Sequence, residues 1–171
     1  LVEKLQLKNT TVELADATKL SYADNSFDLV FADAVIQHIV DTKVVANELS
    51  RVLRPGGMMI ASAVNSYNPP HAIYKKLLTL GGKKYEYGYE RTYSRGQLQT
   101  LFASPSWSNV TSDGFAVSYG LLRLKRRWLW LERIGSYFGK LVRFLDMMTG
   151  QSVSRMFGFI IFVVAIKAYD K

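Results

Sequence analysis

FDLVFADAVIQHIVDTKVVANELSRVLRPGGMMIASAVN, residues 27–65, carries the pattern that decides the fold. Two apolar runs, 29–31 and 58–64, flank one amphipathic segment. Val45, Leu49, Val52 and Leu53 share one face at helical spacing, while Lys43, Asn47, Ser50 and Arg51 fall elsewhere. Asp41 or Thr42 can cap this helix, because a side-chain oxygen there satisfies free backbone N–H groups. Pro55 cannot continue the helix, and Gly56-Gly57 gives the backbone the freedom to turn back into the second run. Neither run alternates, as expected of strands covered on both faces. The unit is strand–helix–strand of the parallel kind, with a right-handed crossover expected.

Outward from this unit the chain stays mixed. Residues 1–8 read as the tail of a helix, and the β-branched alternation of 11–15 reads as a short strand ending at Asp16-Ala17. A polar loop leads into the strand at 27–33. After Asn65, Pro69 or Pro70 can open a helix over 71–80. Residues 81–89, aromatic, basic and punctuated by glycine, read as a mobile surface loop. Ser94 caps a helix to about 102, and one strand is expected around 110–117. Leu124, Trp128, Leu131, Gly135, Phe138 and Val142 make 121–148 helical, with breaks expected at Gly135 and Gly139. The β-branched run 158–170 is apolar enough for a central strand.

The 171 residues are 49% apolar, enough for a single domain with a sizeable core. Cysteine is absent, and His38 and His71 are the two histidines, so no metal site is expected. No secretory signal opens the chain. The longest apolar run, 159–166, is too short to span a bilayer as a helix. The default expectation is a cytoplasmic protein, at most peripheral to a membrane.

Charge is uneven: net −2 over residues 1–60 and +10 over 61–171. Between 121 and 143, seven basic residues face one acid, Glu132. This stretch reads first as a lid over a pocket, second as an amphipathic element on an anionic membrane, and last as a nucleic-acid surface.

In order, Asp16-Ala17, the segment 20–28, His38 and Leu53-Arg54-Pro55-Gly56-Gly57 resemble the class I S-adenosylmethionine-dependent methyltransferases. The match is closest to the small-molecule group that includes the ubiquinone and menaquinone pathway enzymes. Ser21 and Tyr22 depart from the family's usual Pro-Phe. Residues 91–102 and the following Trp-Ser-Asn-Val resemble its later helix and strand, whereas the basic stretch is not a family-wide feature. The resemblance implies a Rossmann-like α/β sheet with helices on both faces, its last strand antiparallel, and 121–157 as a helical insertion or lid within one domain. It implies S-adenosyl-L-methionine as cofactor, with Asp16 and Ala17 at the adenine and Asp33 near the methionine part.

Part of the family pattern is missing. No G-x-G occurs, and no acidic residue for the ribose can be assigned. The resemblance therefore implies an N-terminally truncated domain, an unpaired sheet edge at 27–33 unless 11–15 moves to cover it, and impaired methyl transfer to a small apolar molecule. His38 is the candidate base, since an imidazole titrates near neutrality. Tyr67 and Tyr93 could line the substrate side. Asn68-Pro69-Pro70-His71 echoes an amino-methyltransferase motif, but a helix start accounts for it better. The alternative function is a non-catalytic module binding an anionic membrane or nucleic acid through 121–148.

Overall fold

The structure, a computed structural model, describes residues 9–85, 88–116 and 131–169, excluding the side chains of 131–136. The expectations for 1–8 and 121–130 lie outside the described residues. The elements run β1 (Phe27–Ala32), a single 3-10 turn (Ile36–His38), α1 (Thr42–Val52), β2 (Leu53–Val64), α2 (Pro69–Leu80), α3 (Arg95–Leu101), β3 (Trp107–Phe115), α4 (Leu131–Thr149), α5 (Ser152–Phe157) and β4 (Ile160–Lys167).

The sheet order is β1-β2-β4-β3. β1 and β2 are parallel, and β4 inserts antiparallel to both of its neighbours. The last strand is thus central, as its unbroken β-branched run predicts. Asp41 caps α1 by accepting from the Val44 N–H at 3.4 Å. Val45, Leu49 and Leu53 then bury against Met59, Ala61 and Ala63 of β2, Ile161, Val163 and Ala165 of β4, and Leu98 and Phe102 of the α3 segment. Each fully buried large apolar side chain contributes about 1.5–3 kcal/mol. Ser94 and Gln97 form a reciprocal capping box at α3, so that turn is specified locally.

Several sequence expectations shift. Residues 11–15 form no strand: Val12 is 75% exposed and Leu14 fully so, and the pairing nearby is one isolated Asp16–Lys19 bridge. Among the described residues no ladder is offered to them, and an unpaired strand has nothing to hold it extended. β1 is accordingly the free edge, and it is not covered on both faces, with Leu29 52% and Phe31 64% exposed. Ser50 is buried on α1 rather than turned outward.

β2 starts at Leu53, before the Arg54–Gly57 bend, and a register shift opposite Phe27 and Leu29 absorbs that bend. Gly56 sits at φ +77°, and a Cβ on Gly57 would lie 2.8 Å from the Arg54 carbonyl. β3 begins earlier than expected, at Trp107, with a bulge at Asn109, whose φ is +50°. α4 runs unbroken through Gly135 and Gly139; Gly139 is buried beside Val142, and that packing outweighs the propensity cost of a helical glycine. Among the described residues no helix is long and apolar enough to cross a membrane.

Candidate functional site

At the carboxyl end of β1 the chain bends sharply. Ala34 adopts φ +54°, a left-handed conformation that a residue with a Cβ rarely takes. The buried Ser62 of β2 holds the bend: its Oγ donates to Asp33 Oδ1 at 2.5 Å and accepts from the Ala34 N–H at 2.9 Å. One hydroxyl thereby fixes both the turn and the exposed Asp33 carboxylate.

A second carboxylate belongs to the loop before β1. Asp16 Oδ1 accepts from the Thr18 N–H at 2.8 Å and from its hydroxyl at 2.7 Å, and these bonds hold the carboxyl below the usual range. The loop is strapped to α1. Glu48 accepts from Arg51 and from the Leu20 N–H, which lowers its own pKa, and Arg51 donates to the carbonyls of Leu20 and Tyr22. Ala17 then borders an apolar groove of about 340 Å³ whose other wall includes Leu29, Phe31, Ala32 and Val35. The Asp16-Ala17 loop and the end of β1 thus face one hollow. Its apolar walls suit a flat ring, and the exposed carboxylates of Asp16 and Asp33, next in sequence to the lining residues Ala17 and Ala32, can accept from N–H donors.

His38 lies apart from this groove, against the loop that follows α2. Its Nδ1 is 2.8 Å from the Tyr89 carbonyl, which can only accept, so Nδ1 carries the proton. Its Nε2 is 3.2 Å from Gln37 Nε2. The Gln37 orientation is fixed independently, because Oε1 accepts from the Val64 N–H at 2.8 Å and so directs the NH2 group toward His38 and Glu90. Gln37 is buried, and its carbonyl accepts from the Arg91 N–H at 2.8 Å.

Behind Gln37 lies a buried ionic cluster. The Glu90 side chain is 1% exposed. Its Oε1 is 3.2 Å from His71 Nε2, an ion-pair distance with poor hydrogen-bond alignment, and 3.5 Å from Lys75 Nζ. Tyr85 donates to Oε2 at 2.9 Å, and Lys75 also reaches the Glu90 carbonyl at 3.2 Å. Burial pushes the Glu90 carboxyl up, but the His71 ring, the Tyr85 hydroxyl and the Lys75 charge outweigh it and leave it below the ordinary glutamate range.

The other singled-out residues divide. Asn68 caps α2 by accepting from the His71 N–H at 3.0 Å and donates to the Phe157 carbonyl at 2.8 Å, so the Asn-Pro-Pro run is a helix start. Tyr93 is buried, with its hydroxyl unpartnered and Arg91 over its ring. Tyr67 is exposed and borders a different hollow of about 430 Å³, shared with Ser94, Arg95, Ser152, Arg155 and Met156. Gln37, Ser62 and Glu90 escaped the sequence reading. Gln37 adjoins the flagged His38, but nothing in the spacing links it to Val64 or Glu90. Among the described residues no His, Asp and Glu cluster could hold a metal ion.

Residues 1–107 match the family model of a methyltransferase domain. The Escherichia coli K12 protein named "uncharacterized protein YafE" is 33% identical over 99 residues, 58% of this chain and 47% of YafE. A demethylmenaquinone methyltransferase of Staphylococcus aureus is 25% identical over 134 residues, 69% of this chain and 56% of that enzyme. The chain spans about half the length of these curated relatives. A SAM-dependent methyltransferase of Thermotoga maritima, 16% identical, shares the fold with a TM-score of 0.63 over 97% of this chain and 68% of that one. From the family match and the antiparallel last strand inside the sheet, the chain belongs to the class I S-adenosylmethionine-dependent methyltransferases.

Proposed function

We propose that these residues supply one side of an S-adenosylmethionine site and act in methyl transfer to a small apolar molecule. The observation that carries this reading is the groove bordered by Ala17 and Ala32, with Asp33, the residue after Ala32, held by Ser62. In this reading the Asp16 carboxylate and the Ala17 backbone N–H take the adenine, and Asp33 takes the ammonium of the methionine part. The cofactor, when bound, supplies a methyl carbon on a positively charged sulfur, which leaves without acid assistance. The chain's own task is then proximity and alignment.

His38 is the base of this reading. Its Nε2 takes the acceptor's proton once the Gln37 amide gives up that nitrogen. An apolar acceptor suits the separate Tyr67- and Met156-lined hollow, and is supported by the relative named for demethylmenaquinone. The 171 residues alone hold the cofactor weakly, because they contain no G-x-G stretch to bring backbone against it.

Calorimetric titration with S-adenosylhomocysteine tests the site. A chain extended by its upstream coding sequence should bind, with Asp33→Asn weakening binding by about tenfold, the worth of one charge-assisted hydrogen bond. Binding by neither form would overturn the reading. In the extended enzyme, His38→Ala should lower kcat by about a hundredfold while leaving cofactor affinity unchanged.

A further inference from the structure

α4 has two unlike faces. Inward lie Gly139, Val142 and Asp146, the last accepting from the Ser154 N–H at 2.9 Å and from the Ser154 hydroxyl, which pins α4 to α5. Outward, Tyr137, Leu141, Phe144, Leu145, Met147 and Met148 are all exposed, from 37% for Leu145 to 76% for Met147. Met156 of α5 is exposed as well. A helix that simply faces water carries its polar residues on that side, so an outward apolar row marks an interaction surface.

Charge selects the partner. Among the described side chains of α4 the one acid, Asp146, points inward, while Lys140 and Arg143, three residues apart, are exposed along one flank of the apolar face. Lys140 Nζ stands 5.7 Å from the Tyr137 ring centroid, keeping an aromatic body and a cation together on that surface. Tyr137, Leu141, Phe144 and Met148 recur at intervals of four, three and four, and so form one stripe along the helix. We propose that this face of α4 lies flat on a bilayer bearing anionic headgroups, with the stripe at the acyl boundary and Lys140 and Arg143 at the phosphates. A nucleic acid would use the cations but leave Leu141, Phe144 and Met148 in water. A second copy would bring like charges together.

Flotation of the 171-residue chain with vesicles tests this without any cofactor. The chain should float with phosphatidylcholine vesicles containing phosphatidylglycerol, not with phosphatidylcholine alone, and added salt should weaken it. Phe144→Ser with Met148→Ser should lower the apparent affinity by about tenfold or more. Lys140→Gln with Arg143→Gln should lower it by roughly thirtyfold. Both pairs face outward, so thermal unfolding should match the parent and show that the variants fold. Equal flotation by parent and both variants would overturn the proposal. So would absence of flotation, whether accompanied by a dimer that the serine variant dissolves or by RNA binding that only the glutamine variant loses.

Discussion

The two flanks of β1 and β2 handle exposure in opposite ways. At the carboxyl end of β2, Gln37, Glu90, Lys75 and Tyr85 put polar atoms into the interior and join them by hydrogen bonds or ion pairs, so a loop, a helix and a strand end are locked to one another. Along β1, an edge strand among the described residues, Leu29 and Phe31 are exposed beside backbone that pairs with no described strand. A buried charge network is costly to break, because each lost partner leaves a desolvated group behind. An exposed apolar edge costs little in the folded state, but it is a template for self-association. The first flank therefore governs stability and the second governs solubility.

Glu90→Ala should give the largest effect. It removes the buried carboxylate that His71, Lys75 and the Tyr85 hydroxyl surround and should cost about 3–5 kcal/mol in urea unfolding. The same contrast has a pH signature. Because the folded pKa of Glu90 is lowered, its share of stability is complete above the ordinary glutamate range and is lost as pH falls through the folded value. Acid titration of unfolding should show this loss in the parent and a shallower fall in Glu90→Gln. Gln37→Ala should cost less, about 1–3 kcal/mol, by leaving the Val64 N–H unsatisfied. It should also release His38 from the Gln37 amide, visible as changed imidazole chemical shifts by NMR. On the opposite flank, Phe31→Lys should move stability by no more than about 0.5 kcal/mol. The same variant should reduce concentration-dependent light scattering; unchanged scattering would remove the free edge as the source of association.

How much could be read in advance differs by region. Residues 27–65 were legible because helical spacing, a cap, Pro55 and the paired glycines are local signals that agree with one another. The expectation of a free edge at β1 was also legible, from the order of strands that the resemblance implies. The strand at 11–15 was misread, since β-branched alternation states a preference and only a neighbouring ladder can realise it. The breaks at Gly135 and Gly139 were misread for the converse reason, as packing overrode propensity.

In the candidate site, Asp16, Ala17 and Asp33 were named from the family resemblance, and in the structure Ala17 and Ala32 border one groove. Ser62 looked like one more small residue in a strand, although it holds Asp33 and bends Ala34. Glu90 follows the 81–89 loop and carries no sequence signal that marks it as buried. The sequence determined most of the helices and, through its ordered motifs, the family, because those rest on residues close together along the chain. Tertiary structure alone decided that Gln37 meets Val64 and Glu90, that Glu90 is buried against Lys75 and Tyr85, and which face of α4 is left exposed. Those outcomes depend on pairings between residues far apart in sequence, where desolvation and geometry, rather than residue type, set the energy.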